Sequence, residues 1–294
     1  MNATRAEQTP QQIVERFVRT LDVRPAGNDV FVRETERDHE EQHRLFGGLV
    51  LAQAAIAAGR TVDDAAPRAS MHSLHAYFLR GGRFDVPVEY HVERVRDGRT
   101  FKARRVLVRQ GGDAICDVTT SFAHQEDGIA HQDPMPDAPD PGTLVDAREQ
   151  FPMEDGTLWP YGPIEWRLCE PPDYVAKPGE RALVREWARM RHPLPADPVL
   201  HAAALVFASD AGSFSAIERR YGDEGMQWRA SASLDHAFWL HHPIFWDGWI
   251  LMTTESPVAY SARALSYRAF YTHGGLQVAS MAQEAVVRRT RMSG

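Results

Sequence analysis

Two long apolar segments rich in alanine run along the chain, residues 48–59 in its first half and 199–212 in its second. Each is followed by a similar phrase: residues 73–79 read SLHAYFL, and residues 233–240 read SLDHAFWL, with one residue inserted. Alternating apolar and polar runs then follow each phrase and meet at a pair of glycines. A repeat of about 160 residues is too long for a solenoid unit. The pattern therefore predicts a duplicated domain, in which only one copy needs to keep the chemistry.

The first half is predicted to contain two helices and several strands. Residues 9–21 have apolar side chains at helical spacing, and residues 46–61 are almost uniformly apolar and small, as in a helix buried on most sides. Gly47 and Gly48 begin this second helix, and glycine lets a backbone approach a ligand closely. Strands are predicted at residues 30–32, 70–79, 86–96, 100–110 and 114–122.

The second half is predicted to repeat this order. Asp197 as N-cap, Pro198 in the first turn and Gly212 past the end frame its apolar helix. Strands are predicted at residues 182–190, 230–240, 249–255, 262–273 and 276–289. One long helix among alternating strands in each half predicts an antiparallel sheet wrapped around that helix. Two such units, side by side, would form one continuous sheet.

A change of composition separates the two halves. Residues 127–162 are rich in proline and aspartate, which is typical of a linker laid over a surface rather than of a domain core. We therefore divide the chain into a first unit of residues 1–126, the linker 127–162, and a second unit of residues 163–294.

Composition and charge narrow the classes of function. With 294 residues and a formal charge of −7, the chain has no general attraction for nucleic acid or an anionic membrane. It has no run of about 18 apolar residues that would predict a membrane span, and residues 1–10 lack the apolar core of a signal peptide. The two cysteines lie far apart without metal-ligand spacing, which favours a reducing compartment. We expect a cytoplasmic protein.

Two polar residues occupy positions where the pattern expects apolar ones. Asp210 follows three apolar residues of its helix at spacings of three, four and seven, which places it on the face toward the sheet. The alternative is that the last turn points it into solvent. Gln283 falls in the apolar row of an alternating strand, where a buried amide must be hydrogen-bonded. It is either part of a site or a structural amide that satisfies a neighbouring backbone group.

Serine and histidine give weaker signals. Ser233 shares a strand face with Asp235, whereas His236 points to the other side, so Ser233 and His236 are not expected to form a nucleophile–base pair. The histidine clusters lack zinc-type spacing with a cysteine or carboxylate, so no metal site is predicted. The chain also lacks the G-x-S-x-G, G-x-G-x-x-G and G-x-x-x-x-G-K-[ST] signals of α/β hydrolases, Rossmann oxidoreductases and P-loop nucleotidases.

Several phrases occur in the order and spacing of a known family. They are LFGGLVLAQA (45–54), MHSLHAYFLRGG (71–82), RDGRTFKARRV (96–106), ASD (208–210), SLDHAFWLHHP (233–243), SARA (261–264) and FYTHGGLQVASMAQEAVVRR (270–289). In these phrases the chain resembles the acyl-CoA thioesterase II family, the TesB-like double-hotdog enzymes, over nearly its whole length. It departs from the family pattern at Gly82, His242 and Ala264, where Pro, Arg and Gly are usual. The last two changes concern expected contacts with the CoA portion of a substrate.

The resemblance implies a fold and a site. The fold is α+β, a double hotdog of two tandem units, each a long helix wrapped by a curved antiparallel sheet, joined into one continuous sheet. In the family, an Asp on the second helix, a Thr or Ser on the next strand and a Gln on the last strand hold the hydrolytic water. These catalytic roles fall on Asp210, Ser233 and Gln283. Substrate contacts are expected from Gly47, Gly48, His72, Ser261 and Arg263.

The implied reaction is hydrolysis of a fatty or related acyl-CoA to free acid and CoA by direct attack of an oriented water. No cofactor is expected, because CoA is part of the substrate, and a homo-oligomer is expected by analogy with the family. The alternative from another class is an acyl-CoA-binding protein with the same fold and no turnover. The intact Asp, Ser and Gln positions favour the enzyme. A hotdog dehydratase would need a His–Asp hydration signature that the sequence lacks.

Overall fold

The computed structural model describes residues 8–34, 44–62, 69–150, 162–171, 173–177, 180–222 and 231–288. The first half begins with helix α1 and contains the long helix α2. Its elements are α1 Pro10–Leu21, β1 Arg24–Gly27, β2 Val30–Arg33, α2 Gly47–Arg60, β3 Ser70–Phe78, β4 Val88–Asp97, β5 Phe101–Gln110 and β6 Asp113–Ala123.

The second half follows a short 3₁₀ turn, Pro141–Thr143, and the one-turn helix α3, Ala147–Gln150. Its elements are β7 Ile164–Leu168, β8 Leu183–Met190, α4 Pro198–Asp210, α5 Ser215–Tyr221, β9 Ala232–Ser233, β10 Asp235–Leu240, β11 Ile250–Tyr260, β12 Arg263–Thr272 and β13 Gln277–Val286. Residues 230 and 289, at the ends of two predicted strands, lie outside the described residues.

The described strands form one antiparallel sheet in the order β1-β2-β4-β5-β6-β3-β10-β13-β12-β11-β8-β7, with β9 paired to β13. At its centre β3 of the first half pairs with β10 of the second, with His75 opposite Ala237 and Ser73 opposite Trp239. The two similar phrases seen in the sequence are therefore hydrogen-bonded to each other at the junction of the copies. The continuous sheet and the double-hotdog fold are confirmed.

Helices α2 and α4 pack against each other in opposite directions inside the curve of the sheet. Both are apolar and almost completely buried. A Cβ atom built on Gly48 would lie 2.6 Å from the backbone oxygen of Phe207, and one built on Gly59 would lie 2.9 Å from Val199. The start of each helix thus lies against the end of the other. This arrangement brings the N-terminus of α2 to Asp210, the last residue of α4.

The predicted frame of the second helix is observed. The Asp197 carboxylate accepts a hydrogen bond from the amide of Val199 at 2.9 Å, and Pro198 is the first helical residue. After Ala211, Gly212 adopts a φ of +66°, in the left-handed region that glycine enters without strain. By length and hydropathy the stretch Pro198–Tyr221 would be long enough to cross a membrane, but 83% of its apolar window is buried inside the fold.

Strands β1 and β7, the 3₁₀ turn and helices α3 and α5 were not predicted, and one strand is broken. Strand β1 and helix α5 have no clear apolar period, and α5 is a short extension beyond Gly212. The strand predicted over 230–240 is interrupted at Leu234, whose amide donates to Glu284 and whose carbonyl accepts from Phe78. This irregularity changes the direction of the side chains on either side of it.

The segment between the halves contacts the sheet of the second half. The carbonyl oxygen of Pro139 accepts a hydrogen bond from the indole of Trp187 at 2.8 Å, and that of Pro141 accepts from Arg167 at 2.6 Å. Residues 151–161 lie outside the described residues.

Candidate functional site

Asp210 points into the protein rather than into solvent. Its residue is 8% exposed, and Oδ2 accepts a hydrogen bond from the amide of Gly48 at 2.8 Å. The two residues are 162 positions apart in the chain, and the bond joins the first copy to the second. The N-terminus of α2 carries a positive partial charge and free amide donors, so a carboxylate is favourable there.

Gly47 and Gly48 are glycines because of this contact. A Cβ on Gly47 would lie 2.8 Å from Oδ2 of Asp210 and 2.9 Å from the ring of Phe78. A Cβ on Gly48 would meet the backbone oxygen of Phe207 at 2.6 Å. Any side chain at either position would therefore push α2 away from Asp210.

Gln283 lies on β13 with 1% of its surface exposed and joins three side chains. Its Nε2 donates to Oγ of Ser233 at 2.7 Å and to Oγ of Ser213 at 3.0 Å. Its Oε1 accepts from Nδ1 of His236. The amide of Ser213 in turn donates to the carbonyl oxygen of Asp210 at 3.3 Å, so this network reaches the end of α4.

His236 is a residue of the site that the sequence interpretation missed. The prediction that it points away from Ser233 is wrong, because both side chains are hydrogen-bonded to Gln283. Strict alternation fails at Leu234, where the chain passes from β9 to β10: Ser233 lies opposite Ala285, whereas Ala237 lies opposite Ala282. Such an irregularity re-aims the side chains next to it. Alternation alone does not reveal this break; the residue inserted in SLDHAFWL relative to SLHAYFL is the signal that marks it.

The hydrogen bonds fix the state of the His236 ring. Since Oε1 of Gln283 can only accept, Nδ1 carries the proton, and Nε2 lies 2.9 Å from the hydroxyl of Ser209, which has one proton to donate. That hydroxyl also lies 2.7 Å from the carbonyl oxygen of Val206. Burial lowers the pKa of His236, although the Asp210 carboxylate and the Gln283 bond act in the opposite direction. The ring is therefore a neutral donor that fixes the Gln283 amide.

The remaining residues predicted to contact substrate form no hydrogen bond with Asp210, Ser233 or Gln283 in the described part of the chain. His72, whose Nε2 is 2.8 Å from Oγ of Ser121, is six residues before Phe78 on β3, roughly 20 Å along the strand. Ser261 is exposed at the β11–β12 turn with a φ of +51°. Arg263 forms an ion pair with Glu284 at 3.0 Å. Their roles in substrate binding stay predictions.

An apolar cavity of about 120 Å³ lies at the opposite end of the helix pair. Ala55 and Gly59 of α2 line it, together with Val199 and Ala202 of α4 and Leu240 of β10. Ala55 is seven residues from Gly48, and Ala202 is eight from Asp210, which places the cavity roughly 10–12 Å from the carboxylate along the helices. Among the described residues, no group of His, Cys, Asp and Glu is arranged to hold a metal ion.

Both halves match models of known families. A model described as the acyl-CoA thioesterase N-terminal domain matches residues 35–123, and one described as acyl-CoA thioesterase matches residues 161–286. The chain is 32% identical over 265 residues to acyl-coenzyme A thioesterase 8 of Mus musculus, covering 83% of this chain and 80% of the relative. The chain belongs to the acyl-CoA thioesterase II family. The predicted resemblance is confirmed.

Further relatives agree with this assignment. Acyl-CoA thioesterase 2 of Haemophilus influenzae is 31% identical over 260 residues, covering 83% of this chain and 88% of the relative. The crystal structure of the acyl-CoA thioesterase II TesB2 from Mycobacterium marinum superimposes with a TM-score of 0.77 at 34% identity, covering 93% of this chain and 98% of that one.

Removing space at Gly48 should damage both fold and site. We expect Gly48→Ala to lower the free energy of unfolding by about 1–3 kcal/mol, because the new methyl overlaps a backbone oxygen that cannot rotate away. Denaturant unfolding measures this loss. The control is Gly128→Ala, where a Cβ would meet nothing within 4 Å and stability should not change. Equal stability of the two variants would contradict the close packing of α2 on Asp210.

Changing His236 should show which ring nitrogen matters. In His236→Asn, the side-chain amide can occupy the Nδ1 position and still donate to Gln283; in His236→Gln it cannot. We expect thioester hydrolysis to fall on the order of 10- to 100-fold in the Gln variant and much less in the Asn variant. Steady-state kinetics with acyl-CoA measures the loss of activity in each variant, and equal losses would contradict the role of Nδ1 in orienting Gln283.

The lowered pKa of His236 also predicts a pH dependence of stability. Because the ring stays neutral in the fold while the unfolded chain protonates, the free energy of unfolding should decrease as pH falls below about 6.5. His236→Asn should lose this component of the profile. An unchanged profile would assign the dependence to other groups.

Proposed function

We propose that this chain hydrolyses the thioester bond of acyl-CoA with a water molecule held by Asp210 and Ser233, and by Gln283 through its hydrogen bond to Ser233. The observation that supports these roles is the buried network in which Gln283 holds Ser233 and, through His236 and Ser213, the segment that carries Asp210. The network links the hydroxyl of Ser233 and the amide of Gln283 to the segment that carries Asp210, and this link supports the proposed roles.

The network gives each group a direction. Gln283 donates its two amide hydrogens to Ser233 and Ser213. The Ser233 oxygen therefore accepts, and the hydroxyl proton of Ser233 can be donated to the water. Asp210 accepts a proton from this water as the oxygen attacks the thioester carbon. The amide of Gly47, in the first turn of α2, is the donor that we assign to the developing oxyanion. When the C–S bond breaks, the thiolate of CoA takes the proton from Asp210.

We assign the far end of the acyl chain to the apolar cavity between the ends of α2 and α4. Its lining residues are almost all apolar, and dry apolar cavities of similar size take up small hydrocarbon groups. A chain bound at Asp210 must extend roughly 10–12 Å to reach it. Short acyl groups would leave the cavity empty.

Three further expectations stay predictions. A reaction without a cofactor follows from the absence of a cofactor motif in the sequence and from CoA being part of the substrate. A cytoplasmic location is supported by the cysteine content, and a homo-oligomer by analogy with the family.

The reaction is tested with Asp210→Asn, which keeps an oxygen for the Gly48 amide but removes the base. We expect turnover of acyl-CoA, followed by release of free thiol, to fall on the order of 10²- to 10⁴-fold. The unfolding midpoint should stay close to that of the parent. A fully active variant would remove Asp210 from the mechanism. A parent chain that binds acyl-CoA without releasing thiol would favour the alternative of a binding protein.

The cavity is tested with Ala202→Leu, which fills part of it. We expect the preferred acyl length to shorten, because each methylene kept out of the cavity costs about 0.8 kcal/mol, or about fourfold in kcat/KM. Rates on a series of acyl-CoAs of increasing length check this. The shortest substrate is the internal control, since its rate should not change. An unaltered length profile would place the acyl chain elsewhere.

A further inference from the structure

Arg268 of β12 is a buried arginine at the end of the helix that carries Asp210. Its side chain has no exposed surface, and its guanidinium donates to backbone oxygens on both sides of Asp210. The acceptors are Ala211 at 2.5 Å and Gly212 at 2.7 Å, and the oxygens of Ala208 and Ser209, at 3.5 Å each, share the second proton of Nη1. These carbonyls lie in the last turn of α4 and just beyond it, where intrahelical donors run out. Ala208 also accepts from the amide of Ala211, and Gly212 from that of Ser215.

The position of the positive charge is as important as the hydrogen bonds. The C-terminus of α4 is the negative end of the helix, and the carboxylate of Asp210 adds further negative charge there. Thr254 accepts from Nε of Arg268 at 2.6 Å and Glu186 from Nη2 at 2.9 Å, and these two bonds hold the guanidinium fork in one orientation. Burial raises the pKa of Glu186, and the charge of Arg268 opposes this rise.

The first copy has an analogous arginine at the end of α2. Arg104 of β5 is equally buried and donates to the hydroxyl of Thr61 at 2.8 Å and to its carbonyl oxygen at 3.1 Å. It also binds Asp97 at 2.5 Å. Because α2 and α4 run in opposite directions, Arg104 lies at the far end of the helix pair, roughly 20 Å from Gly48 along α2. The same kind of helix clamp therefore exists once beside Asp210 and once far from it.

We propose that Arg268 is a positioning residue for Asp210. By fixing the carbonyls before and after this residue, it sets where the carboxylate lies relative to Gly48 and the Ser233–Gln283 pair. Only the expected effect of Arg268 on turnover rests on the proposed function, because the placement of Asp210 can be measured without substrate.

The experiment compares Arg268→Lys and Arg268→Met with Arg104→Lys and Arg104→Met. Lysine keeps the charge but cannot bridge several carbonyls with a planar fork, and methionine removes both features. The first measurement is hydrogen exchange of the Gly48 amide in protein labelled with ¹⁵N-glycine, because this amide donates to the Asp210 carboxylate. The second is kcat and KM for thioester hydrolysis. The third is the unfolding midpoint of each variant.

We expect the variants at both positions to lose stability, and only the Arg268 variants to accelerate exchange of Gly48. Their kcat should fall on the order of 10- to 100-fold with little change in KM, as expected for a misplaced catalytic group. If Arg268→Met does not fold, Arg268→Lys carries the comparison. Unchanged Gly48 exchange in a folded Arg268 variant overturns the proposal, as does an equal acceleration in the Arg104 variant of the same type.

The measurements also separate this proposal from the proposed function. A parent chain that releases no thiol refutes the hydrolysis, but the exchange of Gly48 still decides the role of Arg268. Conversely, an active parent whose kcat survives Arg268→Lys with Gly48 still protected refutes the clamp and leaves the reaction standing.

Discussion

The hydrogen bond between the Gly48 amide and the Asp210 carboxylate is the contact on which the site depends. It joins the positive N-terminal end of α2 to the Asp210 carboxylate at the negative C-terminal end of α4. The partial charge of the first copy and the carboxylate of the second therefore compensate each other. The contact requires the two helices to approach until a single methyl group would collide. Glycine at positions 47 and 48 follows from this requirement.

One inserted residue makes the second copy different from the first. In SLHAYFL the histidine follows the leucine directly, and His75 faces outward, where its ring packs 5.1 Å from that of Trp239. In SLDHAFWL, Asp235 takes that position and the histidine moves one place further along the strand. Because side chains alternate between the two faces, a shift of one residue turns His236 inward, to Gln283 and Ser209. The insertion thus supplies a buried donor that the first copy lacks.

Much of this could be predicted because it depends on local periodicity. The long helices and most strands appear within a few residues of their predicted bounds, and Asp210 and Gln283 stand out because each interrupts an apolar face. The break at Leu234 could not be predicted from alternation alone, since it arises from hydrogen bonds to β13 and to Phe78 rather than from the strand itself. For the same reason the pairing of Gly48 with Asp210 required the fold, because nothing local connects residues 162 positions apart.

The duplication also explains why neither copy can form the site alone. The first copy supplies the start of α2 with the amides of Gly47 and Gly48, and the second supplies Asp210, Ser233 and Gln283. At the opposite end of the helix pair, the end of α2 lies against the start of α4. There α2 ends in Arg60, which donates to Asp22 and Val23. On β6, the buried hydroxyl of Thr120 has no hydrogen-bond partner in the described part of the chain. That end keeps its arginine clamp, Arg104, and lines the apolar cavity instead. A pair of helices with two equivalent ends has thereby become one with a polar end and an apolar end, which suits a ligand that carries a thioester at one end and a hydrocarbon chain at the other.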